Sequence, residues 1–276
     1  MKLRFTKMHG IGNDFVVVDC RERPLELLVQ QIARVGDRHR GVGFDQLLTI
    51  EPATDSSCAF AYRIYNADGS TALQCGNGLR CVAAWLQRAK TLRPGATKLQ
   101  GPAGPVAVEL LDDGRVRADM GVPLFDPAVI PFAADREADE YRIDLGGESI
   151  AFGAVSMGNP HAVIEVADVT HAPLQTTGAA LSTDPHFPKG SNAGFAQIVD
   201  RRHIRLRVWE RGAGATLACG SGACAAVAIL RRRGKLDDEV SVELPGGALQ
   251  IQWAGPGSRL WMTGPAAFAF EGEIEV

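Results

Sequence analysis

Two cysteines in this 276-residue chain stand immediately before glycines: Cys75 in Gln74-Cys75-Gly76-Asn77-Gly78 and Cys219 in Ala218-Cys219-Gly220-Ser221-Gly222. Each leads into an apolar run of helical length, so each sulfur sits where backbone N–H groups lack intrahelical partners and the helix dipole is positive. That position is expected to bring a thiol pKa from about 8.5 into a range of roughly 3.5–7.5, making thiolate available near neutral pH. The glycines, lacking Cβ, let the backbone approach an anion. A thiolate and a thiol flanking one carboxylate can invert the carbon α to it. One sulfur removes the proton from one face, the other delivers a proton to the opposite face, and the N–H groups hold the enediolate-like charge. This chemistry requires no cofactor and no metal. With substrate between them, the two sulfurs are expected on the order of 6–7 Å apart.

The elements that must position these cysteines repeat along the chain. Residues 63–78 align without gaps over 207–222 at a constant offset of 144, matching Arg, an aromatic residue, Leu and Cys-Gly-x-Gly. Gly12-Asn13 matches Gly158-Asn159 at an offset of 146, each leading into an apolar strand. Short alternating strands dominate, as in 59–65, 205–209 and a hairpin from 106–110 to 115–118 through Asp112-Asp113-Gly114. Helices are expected over 25–35, 76–89, 176–181 and 220–232; the second and fourth are apolar nearly all round, as helices buried on every side are. The expected fold is α+β: two pseudo-symmetric halves, each a rolled, mostly antiparallel sheet around a buried central helix, with the site in the cleft between them. The boundary is placed near Gly121-Val122-Pro123, giving halves of about 1–120 and 121–263. The Pro/Gly-rich stretch 93–105 is expected as a loop.

The remaining cysteines read as packing groups. Cys81 and Cys224 fall on other helix faces than Cys75 and Cys219, which removes chelation by these pairs, and Cys20 and Cys58 are expected as strand thiols. No C-x-x-C pair exists, Gly10-Ile11-Gly12-Asn13 and Gly212-Ala213-Gly214-Ala215 lack a third glycine, and no Gly-Lys-Ser/Thr follows them. Zinc, Rossmann and P-loop readings are thereby disfavoured. A formal charge of −3 argues against nucleic acid. The absence of a signal-like or membrane-spanning apolar run argues for a cytoplasmic chain off the membrane. Asparagine is scarce, with five residues against 23 arginines, yet Asn13, Asn66, Asn77, Asn159 and Asn192 all lie in the repeat-related segments. An amide both donates and accepts, which suits a zwitterion. At the repeat position of Asn66-Ala67 stand Glu210, suited to an ammonium group, and Arg211, suited to a carboxylate. His161 is a candidate for biasing a nearby thiol.

Together with Phe5-Thr6-Lys7-Met8-His9-Gly10, Gly43-Phe44-Asp45-Gln46, Asn66-Ala67-Asp68-Gly69-Ser70, Ser156-Met157-Gly158-Asn159-Pro160-His161 and Glu210-Arg211-Gly212-Ala213-Gly214, these motifs resemble the diaminopimelate epimerase family over essentially the whole chain. The resemblance implies a cofactor-independent two-base epimerase interconverting LL- and meso-2,6-diaminopimelate for lysine and peptidoglycan synthesis. It implies that residues 264–276 return to the first half, and that the chain forms a homodimer. It also implies Cys219 as acceptor and Cys75 as donor in the LL-to-meso direction. Gly76, Asn77, Gly220 and Ser221 would hold the reacting carboxylate. Asn13, Gln46, Asn66, Asn159, Asn192, Glu210 and Arg211 would bind the rest of the substrate, with His161 and Glu210 tuning the thiols. Ala215 and Ala162 depart from the family pattern, but neither falls on a ligand position. Two rivals remain: a racemase of another amino acid related to proline racemases, which tend to carry His where this chain has Asn77, and a thiol redox protein using Cys75 and Cys219.

Overall fold

The computed structural model describes residues 2–25 and 27–276; Met1, and Glu26 inside the helix expected over 25–35, lie outside the described residues. The chain divides into two units, residues 1–119 with 263–276, and residues 120–262.

In the first unit, β1 (Lys2–Gly10) and β2 (Asn13–Asp19) form a hairpin that closes with Gly10 opposite Asn13. Helix α1 (Val29–Gly36) leads to β3 (Gln46–Glu51), which lies parallel to β2 with Phe15 opposite Gln46. Strand β4 (Phe60–Asn66) returns antiparallel, Asn66 opposite Gln46, and β5 (Thr71–Ala72) folds back on β4 to launch α2 (Gly76–Arg88). Three strands follow, β6 (Gly95–Gly101), β7 (Gly104–Leu110) and β8 (Val116–Asp119), with β6 parallel to β4 and the rest antiparallel.

The second unit repeats that order after a short added strand, β9 (Tyr141–Leu145). Strands β10 (Glu148–Ser156) and β11 (Pro160–Glu165) are antiparallel. Helix α3 (Ala179–Ser182) precedes β12 (Asn192–Asp200), which is parallel to β11 with His161 opposite Asn192. Strand β13 (His203–Glu210) is antiparallel to β12, and β14 (Gly214–Thr216) launches α4 (Gly220–Arg232). Then come β15 (Glu239–Leu244), parallel to β13, β16 (Gly247–Trp253) and β17 (Leu260–Gly264). The final strand, β18 (Ala267–Glu275), pairs antiparallel with β1 from Lys2–Glu275 to His9–Ala267. Mostly antiparallel sheets with few helices agree with the α+β expectation, and the parallel pairs recur at matching positions of the two units.

Each long helix packs on strands of its own unit, α2 on β1, β2, β3, β7 and β8, and α4 on β10, β11, β12, β13 and β16. That enclosure explains why both helices are apolar nearly all round. Every residue of α4 from Gly222 to Leu230 is buried. Val227, Ile229 and Leu230 then stabilise the unit by about 1.5–3 kcal/mol each. No helix of the described residues is long and apolar enough to cross a membrane.

Several local expectations are corrected. Helix α1 starts at Val29 rather than 25, because Leu25 and Leu27, spaced as in extended chain, pack on the core beside Ile32 and Val35. The Gln31 Oε1 then accepts the Leu28 N–H at 2.9 Å, fixing the helix start. Residues 93–105 hold β6 and the start of β7 instead of a loop. Gly95 and Gly104, at φ 123° and 116°, supply the bends, and Pro102-Ala103 forms a two-residue turn. The short helix expected over 176–181 begins earlier, as a wide turn over Leu174–Gly178 that runs on into α3. Cys20 lies just past β2 and Cys58 in the turn before β4, so neither is a strand thiol, although both are buried.

Candidate active site

In both units the repeat gathers the polar candidates at one end of three adjacent strands. Asn13 begins β2, Gln46 begins β3 and Asn66 ends β4; Asn159 precedes β11, Asn192 begins β12 and Glu210 ends β13. The short strand after each turn then carries the chain to a cysteine at the cap of the buried helix.

Cys75 caps α2 in extended conformation, and its sulfur accepts the Gly78 N–H at 3.4 Å. The thiol donates to Asn13 Oδ1 at 3.8 Å, and Asn77 Nδ2 donates to the same oxygen at 3.1 Å. The first intrahelical bond to this cap comes from the Leu79 N–H, so the N–H groups of Gly76 and Asn77 precede the bonded ladder. Gln46 Nε2 donates to Asn66 Oδ1 at 3.0 Å, and Asn66 Nδ2 to Ser70 Oγ at 3.0 Å. Gln46 Oε1 is a buried acceptor with no partner, a position that a bound ammonium or hydroxyl donor would satisfy.

Cys219 occupies the same place on α4 but is only 4% exposed. Its thiol donates to Glu210 Oε2 at 3.2 Å, while Thr216 Oγ1 donates to Glu210 Oε1 at 2.6 Å. Ser221 Oγ lies 3.6 Å from the sulfur, and Asn159 Nδ2 reaches that hydroxyl at 3.5 Å. Gly222 packs closely here, since a Cβ there would sit 3.1 Å from Val208 Cγ2 and 3.2 Å from the sulfur. Asn192 Nδ2 donates to Pro160 O at 3.1 Å and its Oδ1 accepts the Arg211 N–H at 3.0 Å, tying the starts of β11 and β12 to the residue after β13. Arg211 Nη1 is held by Lys189 O at 2.5 Å, with its stem across Gly190.

The electrostatics correct the expected thiol chemistry. Burial, and then the Glu210 carboxylate, push the Cys219 thiol well above its ordinary pKa, outweighing the Ser221 and Gly222 donors that favour thiolate. The resting group is therefore a thiol hydrogen-bonded to a carboxylate. His161 does not act as a cation: it is 1% exposed, and burial, with Arg211 adding to it, lowers its pKa to about 3. The neutral ring bonds Asn159 Oδ1 at 3.0 Å, and with Nε2 as the donor it turns Asn159 Nδ2 toward Ser221. Burial also pushes Cys20 and Cys81 up to about 12, in keeping with a packing role.

A pH effect on stability follows from His161. Its folded pKa lies below the ordinary 6.5, so the unfolded chain binds the proton first and stability falls as pH drops from about 6.5 toward 3. Each pH unit in that window costs on the order of 1.4 kcal/mol for one such group. Urea unfolding of His161→Gln between pH 6 and 4 is expected to show a slope shallower by about that amount than the unsubstituted protein; equal slopes would refute the assignment.

Three contributors to the site carried no functional reading in the sequence: Asp45, whose Oδ2 accepts Asn13 Nδ2 at 2.8 Å; Arg80, whose Nη2 donates to Asn77 Oδ1 at 2.9 Å; and Thr216 on Glu210. An arginine inside the apolar run 79–86 was the available signal for Arg80.

Among solved structures, the fold resembles a hydroxyproline epimerase from Agrobacterium vitis, with TM-score 0.71 and 16% identity, covering 99% of this chain and 92% of that one. It likewise resembles a PhzF-family phenazine biosynthesis protein from Bacillus anthracis, with TM-score 0.70 and 13% identity over all of both chains. The architecture of this chain is the fold that these two proteins share. The family profile described as diaminopimelate epimerase matches residues 5–125 and 153–269. Proteins named diaminopimelate epimerase from Xanthomonas campestris pv. campestris and Stutzerimonas stutzeri are 53% and 49% identical. The first covers 99% of this chain and 96% of its own, the second all of both. The chain belongs to the diaminopimelate epimerase family.

Proposed function

We propose that the protein interconverts LL- and meso-2,6-diaminopimelate by a two-base mechanism without a cofactor, with Cys219 and Cys75 acting on one α-carbon. The observation that carries this reading is the recurrence, at one position of a structural repeat, of a cysteine capping a buried helix, with Cys219 bonded to a carboxylate and Cys75 to an amide oxygen. In the LL-to-meso direction Cys219 first gives its proton to Glu210, and the incoming α-ammonium favours the resulting anion on sulfur. The thiolate takes the α-proton while Cys75 delivers its own to the opposite face. The N–H groups of Gly76, Asn77, Gly220 and Ser221 hold the carboxylate as charge builds on it. Asn13, Gln46, Asn66, Asn159, Asn192 and Arg211 bind the remaining polar groups of the substrate, Gln46 through its unpartnered oxygen.

Incubation with LL-diaminopimelate in deuterated water under reducing conditions is expected to yield the meso isomer carrying deuterium at one α-carbon. Absence of both meso product and deuterium would overturn the reading. We further infer a cytoplasmic homodimer, a closed two-fold pair being the commonest assembly; sedimentation at the 29.4 kDa single-chain mass would remove that part.

A further inference from the structure

We infer that Arg80 and Asp45 are positioning residues that fix the polarity of two amides, so that Asn13 turns its oxygen to Cys75 and that sulfur meets the substrate as the protonated member of the pair. The four side chains form one directed row. Arg80, wholly buried in α2, donates through Nη2 to Asn77 Oδ1 at 2.9 Å. Asn77 Nδ2 donates to Asn13 Oδ1 at 3.1 Å, and Asn13 Nδ2 donates to Asp45 Oδ2 at 2.8 Å.

A guanidinium has donors only and a carboxylate has acceptors only. Arg80 therefore requires the oxygen of Asn77 on its side, leaving the NH2 of Asn77 for Asn13. Asp45 requires the NH2 of Asn13, leaving the oxygen of Asn13 for Asn77 and for Cys75, 3.8 Å away. Both ends demand the same orientation, and no amide in the row can turn over without setting two donors or two acceptors face to face. A sulfur facing a carbonyl oxygen is favoured as S–H. Both ends are themselves anchored. Arg38 Nη2 holds Asp45 Oδ1 at 2.8 Å, and Arg80 also donates to Gly76 O and Pro265 O. Gly10 fits the row closely, because a Cβ there would sit 3.0 Å from Arg80 Nη2 and 3.2 Å from the Asn77 Cβ. In the second unit the arrangement differs: His161, held neutral by burial, bonds Asn159 Oδ1, Asn159 Nδ2 faces Ser221, and Cys219 meets a carboxylate.

The inference rests on Cys75 being the proton donor in the LL-to-meso direction, and its test reads the sulfur without turnover, so it fails or stands separately from the epimerase reading. Tyr62 and Cys81 also bear on this sulfur, both held neutral by burial, whereas Arg80 and Asp45 reach it through the two amides. The rate of Cys75 alkylation by iodoacetamide is followed against pH by peptide mass spectrometry. In Asp45→Asn, at a half-exposed position, Asn13 is free to offer its NH2 to the sulfur. The midpoint is then expected to fall by about one pH unit, with Asp45→Glu restoring it. Arg80→Gln, which frees the other end of the row, is expected to shift it the same way and Arg80→Lys to shift it less. Simple loosening would raise the high-pH plateau and leave the midpoint in place. An unmoved midpoint in Asp45→Asn, at an unchanged melting temperature, overturns the inference.

Discussion

Cys219→Ala is expected to remain folded and to lose epimerisation by a factor on the order of 10⁴, the upper end of the roughly 10²–10⁴ that general-base catalysis contributes, because it removes the group proposed to take the α-proton. The fold should survive: the substitution removes one sulfur, and Thr216 still donates to Glu210. Cys75→Ala is expected to be equally inactive, but the two losses differ in what they leave behind. With Cys75 replaced, Cys219 still removes the α-proton from the LL isomer, so deuterium from the solvent enters the LL isomer without inversion. With Cys219 replaced, washout is expected from the meso isomer alone. Mass spectrometry of recovered substrate reads both patterns. Measurable inversion by either single variant, above about one part in 10³ of the parent rate, would refute the two-thiol mechanism, since a one-base enzyme needs only one of them.

Glu210→Gln sets two effects against each other. The carboxylate is one of the groups raising the Cys219 pKa, so neutralising it lowers that pKa and makes thiolate easier to form. It also removes the oxygen that receives the thiol proton 3.2 Å away. The second effect is expected to win, because a buried sulfur with nowhere to send its proton cannot cycle. The turnover number should fall by about 10²–10³ with a smaller change in KM. An unchanged or increased turnover number would mean that Glu210 only burdens the thiol and that its proton leaves by another route.

Much of this site was legible from residue types and spacing because the repeat is written in them. Cys75 and Cys219 announce themselves by Cys-Gly-x-Gly before apolar helices, and four of the five scarce asparagines fall at or beside strand ends, with Asn77 in the first turn of α2. The protonation state was not legible. A cysteine at a helix start reads as acidic by local rules, whereas Cys219 is governed by its burial and by Glu210, nine residues earlier, brought back by the β13–β14 turn. His161 reads as titratable until burial in β11 holds it neutral. The hairpin at 93–105 was hidden because its turn residues are also loop residues, and only the pairing of Leu99 with Val106 across it separates the two.

The pairing of β18 with β1 sets an order of events during synthesis. Strand β1 is made well before its partner, which follows more than 250 residues later by the Lys2–Glu275 pairing. The second unit, residues 120–262, is continuous in sequence and can close while the rest of the chain is still being made. The first unit must wait with the β1 edge bare, an invitation to foreign strands. Ribosome stalling or proteolytic clipping ahead of residue 267 would therefore damage the unit that carries Cys75, although every residue lost lies at the opposite end of the chain.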